Sequence, residues 1–124
     1  MAAFVMKESA YLLNFGYQGM GSIIDALVTK NDVIVYDVDG HASIIDGIRL
    51  SHANRYKFKH NDITDLEKKL QQPSGQKFVA VESVYSMDGD EAPLIVIADL
   101  CRKYSALLIV DEAHAIGVFG DKGD

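Results

Sequence analysis

Apolar positions recur along this chain in two rhythms that take turns. "VIVYD" (Val33 to Asp37), "KFVAVES" (Lys77 to Ser83) and "LLIVD" (Leu107 to Asp111) are compact, β-branched-rich runs of strand length. "RYKFK" (Arg55 to Lys59) alternates polar and apolar, as a half-exposed strand does. A shorter apolar run, "AYLLN" (Ala10 to Asn14), stops before a glycine and reads as a further strand candidate.

Between these runs the spacing becomes helical. Ile23, Ile24, Leu27 and Val28 share a helical spacing after "GMGS", and Ile44, Ile45 and Ile48 gather on one side of "HASIIDGIRLS". "NDITDLEKKLQQ" is the clearest helix, with Asp62 or Thr64 as its cap and Leu66 and Leu70 facing inward. Pro73-Ser74-Gly75 breaks the chain after it. "APLIVIADLCRKYS" has Pro93 near its start and runs to Tyr104.

Strands alternating with helices over short connections predict an α/β fold: a mostly parallel sheet with helices on both faces. The runs at 33–37, 79–83 and 107–111 are almost wholly apolar, which predicts strands covered on both sides. In such sheets ligands sit beyond the carboxyl ends of the strands. That rim collects Gly16 and Tyr17 after the first run, His41 after "VIVYD", Ser86 after "KFVAVES", and Asp111 and His114 at the end of the last strand.

Composition narrows the choice of ligand. The 124 residues are 48% hydrophobic and 24% charged, as in an ordinary globular chain, and one domain or part of one is expected. A net charge of −6 argues against a nucleic-acid partner, which needs clustered cations. No run is long enough to span a membrane, and the start lacks the basic-then-apolar order of a signal peptide. A lone cysteine, Cys101, excludes an internal disulfide and reads as a core thiol. A cytoplasmic location is the expectation.

Two kinds of chemistry place acids at the end of a buried strand. "DEAH" (Asp111 to His114) resembles the Mg²⁺-holding strand end of an ATPase, whose partner is a phosphate loop G-x-x-x-x-G-K-S/T. Gly16 and Gly21 have that separation, but Ser22 and Ile23 follow where lysine and a hydroxyl residue belong. The nucleotide reading therefore lacks its phosphate-binding cation.

The alternative is pyridoxal 5'-phosphate (PLP). Its ring nitrogen needs a carboxylate, its ring face a flat neighbour, its hydroxyl a donor, its phosphate the N–H groups of a helix start, and its aldehyde a lysine. Asp111 suits the nitrogen, though it could also cap a helix or hold Mg²⁺. His41 suits the ring face, although spacing alone favours a plain helix-start histidine. Ser86 and His114 can reach the hydroxyl or a substrate carboxylate, or be ordinary loop residues. Gly16 and Tyr17 can offer N–H groups or form a simple turn, and Glu82 is an acid near the ring or one facing water. No metal site is expected.

"HASIIDGIRLS", "ESVYSMDGDEAPL" and "LLIVDEAHAIGVFG", in that order, are similar to the α-oxoamine synthase family of PLP-dependent enzymes, over essentially the whole chain. The resemblance implies the large domain of the type I PLP-dependent transferase fold, of which residues 1–124 are the central part. It implies that His41 stacks on the cofactor ring and contacts the substrate carboxylate. Ser86 and His114 would bond the ring hydroxyl, Asp111 the pyridine nitrogen, and the backbone at Gly16 and Tyr17 the phosphate. Glu82 matches an acidic position near the cofactor, and His41 and His114 are the catalytic candidates. The implied reaction is a decarboxylative Claisen-type condensation of an amino acid with an acyl thioester such as an acyl-CoA, in a homodimer.

Within the family, "VESVYSMDGDEAPL" and "VDEAHAIGVFG" are most similar to 8-amino-7-oxononanoate synthases of biotin synthesis. The stretch from His41 to Asp62 is as similar to 2-amino-3-ketobutyrate CoA ligases or serine palmitoyltransferases. Met20 departs from the asparagine that many members carry. After Asp111 the chain has only Lys122, a loop position in the family pattern, so the lysine that holds the aldehyde is missing. The family's N-terminal segment and C-terminal small domain are missing too. The expectation is an inactive piece of a longer enzyme, or a non-catalytic truncated relative acting as a subunit.

Overall fold

The computed structural model describes residues 1–73, 75–120 and 123. Ser74 of the expected chain break and Lys122 lie outside the described residues. Helices and strands alternate as α1 (Gly16–Leu27), β1 (Val33–Asp37), α2 (Ala42–Leu50), β2 (Asn54–Phe58), α3 (Ile63–Leu70), β3 (Lys77–Glu82), α4 (Leu94–Lys103) and β4 (Ala106–Asp111). The four strands are parallel, in the order β2-β1-β3-β4.

Strand parity sorts the core into two layers. Val33, Val35, Val79 and Val81 point to one face, where they meet Leu66 and Leu70 of α3 and Ile97, Leu100 and Cys101 of α4. Ile34, Phe78 and Ala80 point to the other, against Ile24 of α1 and Ile44 and Ile48 of α2. Helices thus cover both faces, as the alternation predicts. α3 is capped by Asp62, whose side chain accepts the Asp65 N–H, so of the two candidates Asp62 wins. Cys101 is buried, and burial pushes its thiol up to about 11, which keeps it inert.

α1 and α2 cross at a pair of glycines. A Cβ on Gly47 would lie 2.9 Å from Gly21 Cα and 3.0 Å from Ile24 Cβ, so this backbone approach requires glycine. The close contact brings the N-termini of the two helices to the same end of the sheet.

Two expectations need correction. Residues 10–14 form no strand, and Tyr11 and Leu12 are 88% and 76% exposed. An apolar run becomes a strand only where a neighbour accepts its backbone, and this one has none among the described residues. Leu13 instead folds over Gly19 of α1. β4 is as apolar as β1 and β3 but only partly buried, because it is the outermost strand and has a neighbour on one side.

Candidate functional site

The strand order reverses direction at β1 and β3. β1 leads outward to β2, while β3 leads the other way to β4. The connections beyond these two strands therefore diverge and leave a crevice at the carboxyl ends. A cleft of about 480 Å³ opens there, on the α1/α2 side. Gly16, Tyr17, His41 and Asp111 line it, with Leu13, Met20, Ile23 and Ile116 as its apolar walls. Four of the seven sequence-derived candidates are thus brought together.

Each has a local reason for its place. Gly16 opens α1 behind Phe15, which makes no side-chain cap, and no acid stands in the first turn. The helix start therefore keeps free N–H groups and the positive end of its dipole. Space above Gly16 is open. Tyr17 donates its hydroxyl to Asp46 at 2.5 Å, and that hydrogen bond is the main reason its phenol is raised above its ordinary value. The Tyr17 ring meets His41 edge-on, with centroids 5.8 Å apart.

His41 caps α2. Its Nδ1 accepts the Ser43 N–H at 3.3 Å and lies 2.8 Å from the Ser43 hydroxyl. The neutral ring consequently carries its proton on Nε2. The bland reading of His41 as a helix-start histidine and the functional one are both compatible with this geometry, since a cap made through Nδ1 leaves Nε2 available.

Asp111 ends β4, and its Oδ1 accepts the Ala113 N–H at 3.0 Å. Glu82, its register partner on β3, is 3% exposed, and its Oε1 has no hydrogen-bond partner among the described residues. Burial raises the Glu82 carboxyl above its usual range. The backbone N–H groups of His41 and Ser86 pull it down, and the charge of Asp111 pushes it up. Ser86 lies exposed in the turn after β3, and His114 is exposed beyond β4; neither lines the cleft. No lysine among the described residues lines it either.

A second polar constellation, absent from the sequence reading, lies at the same strand ends on the α3/α4 side. Asp37 ends β1 and is fully buried. His60, just past β2, bonds Asp37 through Nδ1 at 2.9 Å and Asp90 through Nε2 at 2.8 Å. Its sequence signal is faint: a histidine and an asparagine, "HN", closing an alternating strand. Asp37, Asp39 and His60 bring ligand-type atoms within 4.8 Å of one another. With both ring nitrogens donating to carboxylates, His60 has no lone pair for a cation.

Comparison with known proteins agrees with this architecture. The family model for aminotransferase class I and II matches residues 1–124. A cysteate-C-fatty acyltransferase from Capnocytophaga ochracea is 52% identical over 131 residues, covering 100% of this chain and 31% of the relative. An 8-amino-7-oxononanoate synthase from Marinobacter nauticus is 44% identical over 123 residues, covering 99% of this chain and 31% of its own length. The solved serine palmitoyltransferase from S. paucimobilis, with a bound PLP–myriocin aldimine, superposes with a TM-score of 0.94 at 39% identity. It is matched over 98% of this chain and 31% of its own. The chain belongs to the aminotransferase class I and II family, and its relatives there are acyltransferases of the α-oxoamine synthase group. It spans about a third of the length of these relatives. No helix among the described residues is long and apolar enough to cross a membrane.

Proposed function

We propose that this chain provides the ring- and phosphate-binding part of a PLP-dependent acyltransferase that joins an amino acid to an acyl thioester. The observation that carries the reading is the gathering of the strand-end carboxylate Asp111, an uncapped helix start at Gly16 and Tyr17, and His41 in one cleft, with the buried Glu82 behind it as the register partner of Asp111. The orphaned, buried Glu82 Oε1 supports it further, because a polar atom left without a partner at a strand end fits a site built for a polar guest. The donor set fits the cofactor: a carboxylate for a pyridinium, an open helix start for a phosphate, and apolar walls for a ring.

When bound, PLP supplies an electron sink for a carbanion. The chain's own residues would hold and orient it. Asp111 holds the proton on the pyridine nitrogen, since a carboxylate beside it favours the charged ring. The N–H groups at Gly16 and Tyr17 bind the phosphate. His41 would lie against the ring, and the cap made through its Nδ1 leaves the Nε2 proton available for a substrate carboxylate. Ser86 and His114 stand on the flanking loops outside the cleft, so either would reach the ring hydroxyl only once its loop turns inward. The backbone N–H groups of His41 and Ser86 face Glu82 from the loops on either side and favour its charged form.

For the acyl donor we take a fatty-acyl thioester in preference to the pimeloyl donor of 8-amino-7-oxononanoate synthases. Support comes from 52% identity to the cysteate-C-fatty acyltransferase, against 44% to the biotin-pathway relative. The test is thiol release by the full natural chain, supplied with PLP, from palmitoyl-CoA or pimeloyl-CoA with cysteate, serine, glycine or alanine. Release that depends on PLP, and is faster with palmitoyl-CoA, is expected. Absence of release with every pair would contradict the activity, and a preference for pimeloyl-CoA would contradict the donor.

A further inference from the structure

His60 sits where three strand ends meet. Asp37 closes β1, and four residues later the chain reaches His41. Asp90 closes the turn that carries Ser86: the Tyr85 N–H bonds the Asp90 carbonyl at 3.0 Å, and the Gly89 N–H bonds the Tyr85 carbonyl at 2.8 Å. Gly89 has φ +72°, which suits glycine in this tight turn. Between these segments stands the imidazole, bonded at one nitrogen to Asp37 and at the other to Asp90.

The neighbours reinforce the tie. The Asn61 N–H bonds Asp37 Oδ2 at 3.0 Å, and its side-chain amide bonds Asp90 Oδ2 at 2.7 Å and the Glu91 carbonyl at 3.3 Å. Asp37 Oδ1 also accepts the Asp39 N–H at 2.9 Å, which folds the start of the loop leading to His41. The Tyr85 ring stands edge-on against His60, with centroids 4.5 Å apart. Two carboxylates on two ring nitrogens require an imidazolium, because each nitrogen must donate. Desolvation opposes that charge, but the hydrogen bonds and fields of Asp37 and Asp90 outweigh it and push His60 up to about 9.

We propose that His60 is a positioning residue: its ring ties the β1–α2 loop carrying His41 to the β3–α4 connection carrying Ser86, and so sets the span between them. The inference rests on the PLP reading for what is positioned, while the tie itself rests on the geometry alone. His60 acts through Asp37 and Asp90, on the opposite side of the sheet from the cleft.

The test compares the full natural chain with its His60→Ala, Asp90→Ala and Asp90→Asn variants. Asp90 lies on a partly exposed loop, so its variants spare the buried core even if His60→Ala does not fold. Hydrogen–deuterium exchange is read at the amides of residues 38–41 and 85–89 without PLP, and the dissociation constant is measured with added PLP. Asp90→Ala should speed exchange at 85–89 and weaken PLP by about tenfold, the worth of one charge-assisted hydrogen bond. Asp90→Asn keeps an acceptor oxygen and should recover most of both. His60→Ala should loosen both loops. Unchanged exchange in Asp90→Ala overturns the tie. Faster exchange with an unchanged PLP constant makes His60 a brace only, and overturns the positioning role. Failure of the unaltered chain to take up PLP strikes the cofactor reading instead, and exchange alone then decides for or against the tie.

Discussion

Glu82 and Asp111 are register partners at the carboxyl ends of β3 and β4, so two acids stand side by side on one face of the sheet. The buried one is the liability. An acid whose carboxyl is raised in the folded state contributes less stability once pH exceeds its unfolded value, because the fold disfavours its charge. Replacing it with an uncharged isostere removes that penalty. Glu82→Gln should therefore raise the melting temperature by a few degrees, on the order of 1 kcal/mol, while PLP affinity falls. Thermal unfolding beside a PLP titration checks both. A lower melting temperature would mean that the carboxylate serves the fold.

The two glycines at the α1–α2 crossing should respond differently. Gly47→Ala puts a methyl 2.9 Å from Gly21 Cα, and backbone cannot move aside as a side-chain tip can. A loss of roughly 1–3 kcal/mol is expected from the forced separation. At Gly21 the nearest atom is 3.9 Å away, and alanine suits a helix better than glycine, so Gly21→Ala should be neutral or gain up to about 1 kcal/mol. Urea unfolding of the two variants separates the cases. Equal losses would contradict the packing described.

His60 makes stability depend on pH in a defined direction. The folded ring titrates at about 9 and an unfolded histidine near 6.5, so its contribution is complete below the lower value and is lost as pH rises toward the higher. Asp37, Asp39 and Asp90 face the ring as charges, and Tyr85 as its aromatic neighbour. Unfolding free energy should fall by on the order of 2 kcal/mol between about pH 6 and 8.5. That window stops short of the range in which the buried Cys101 thiol, pushed up to about 11, adds its own dependence. His60→Ala should flatten the fall; an unchanged slope would show that another group causes it.

Much of the fold was legible because it is periodic. Ile44 and Ile48 on α2, Leu66 and Leu70 on α3, and the β-branched run of β1 announce their buried faces through spacing alone. The run at 10–14 misled because apolarity without a pairing partner does not make a strand. Strand-end logic found His41 and Asp111; Gly16 and Tyr17 follow a run that is no strand and reach the same cleft because α1 begins there. The side-by-side placement of Glu82 and Asp111 needs strand order, which no local pattern carries. The His60 network was invisible for the same reason, since its partners lie 23 and 30 residues away in sequence.

The measurement closest to the central claim is a PLP titration of the full natural chain, followed by visible absorbance, alongside its Asp111→Asn variant. Asparagine keeps the shape but cannot hold a proton on the pyridine nitrogen. Saturable binding by the natural chain and a loss of about 100-fold in the variant is the predicted result. Equal affinity in the two, or no binding in either, would contradict the assignment of this cleft to the cofactor.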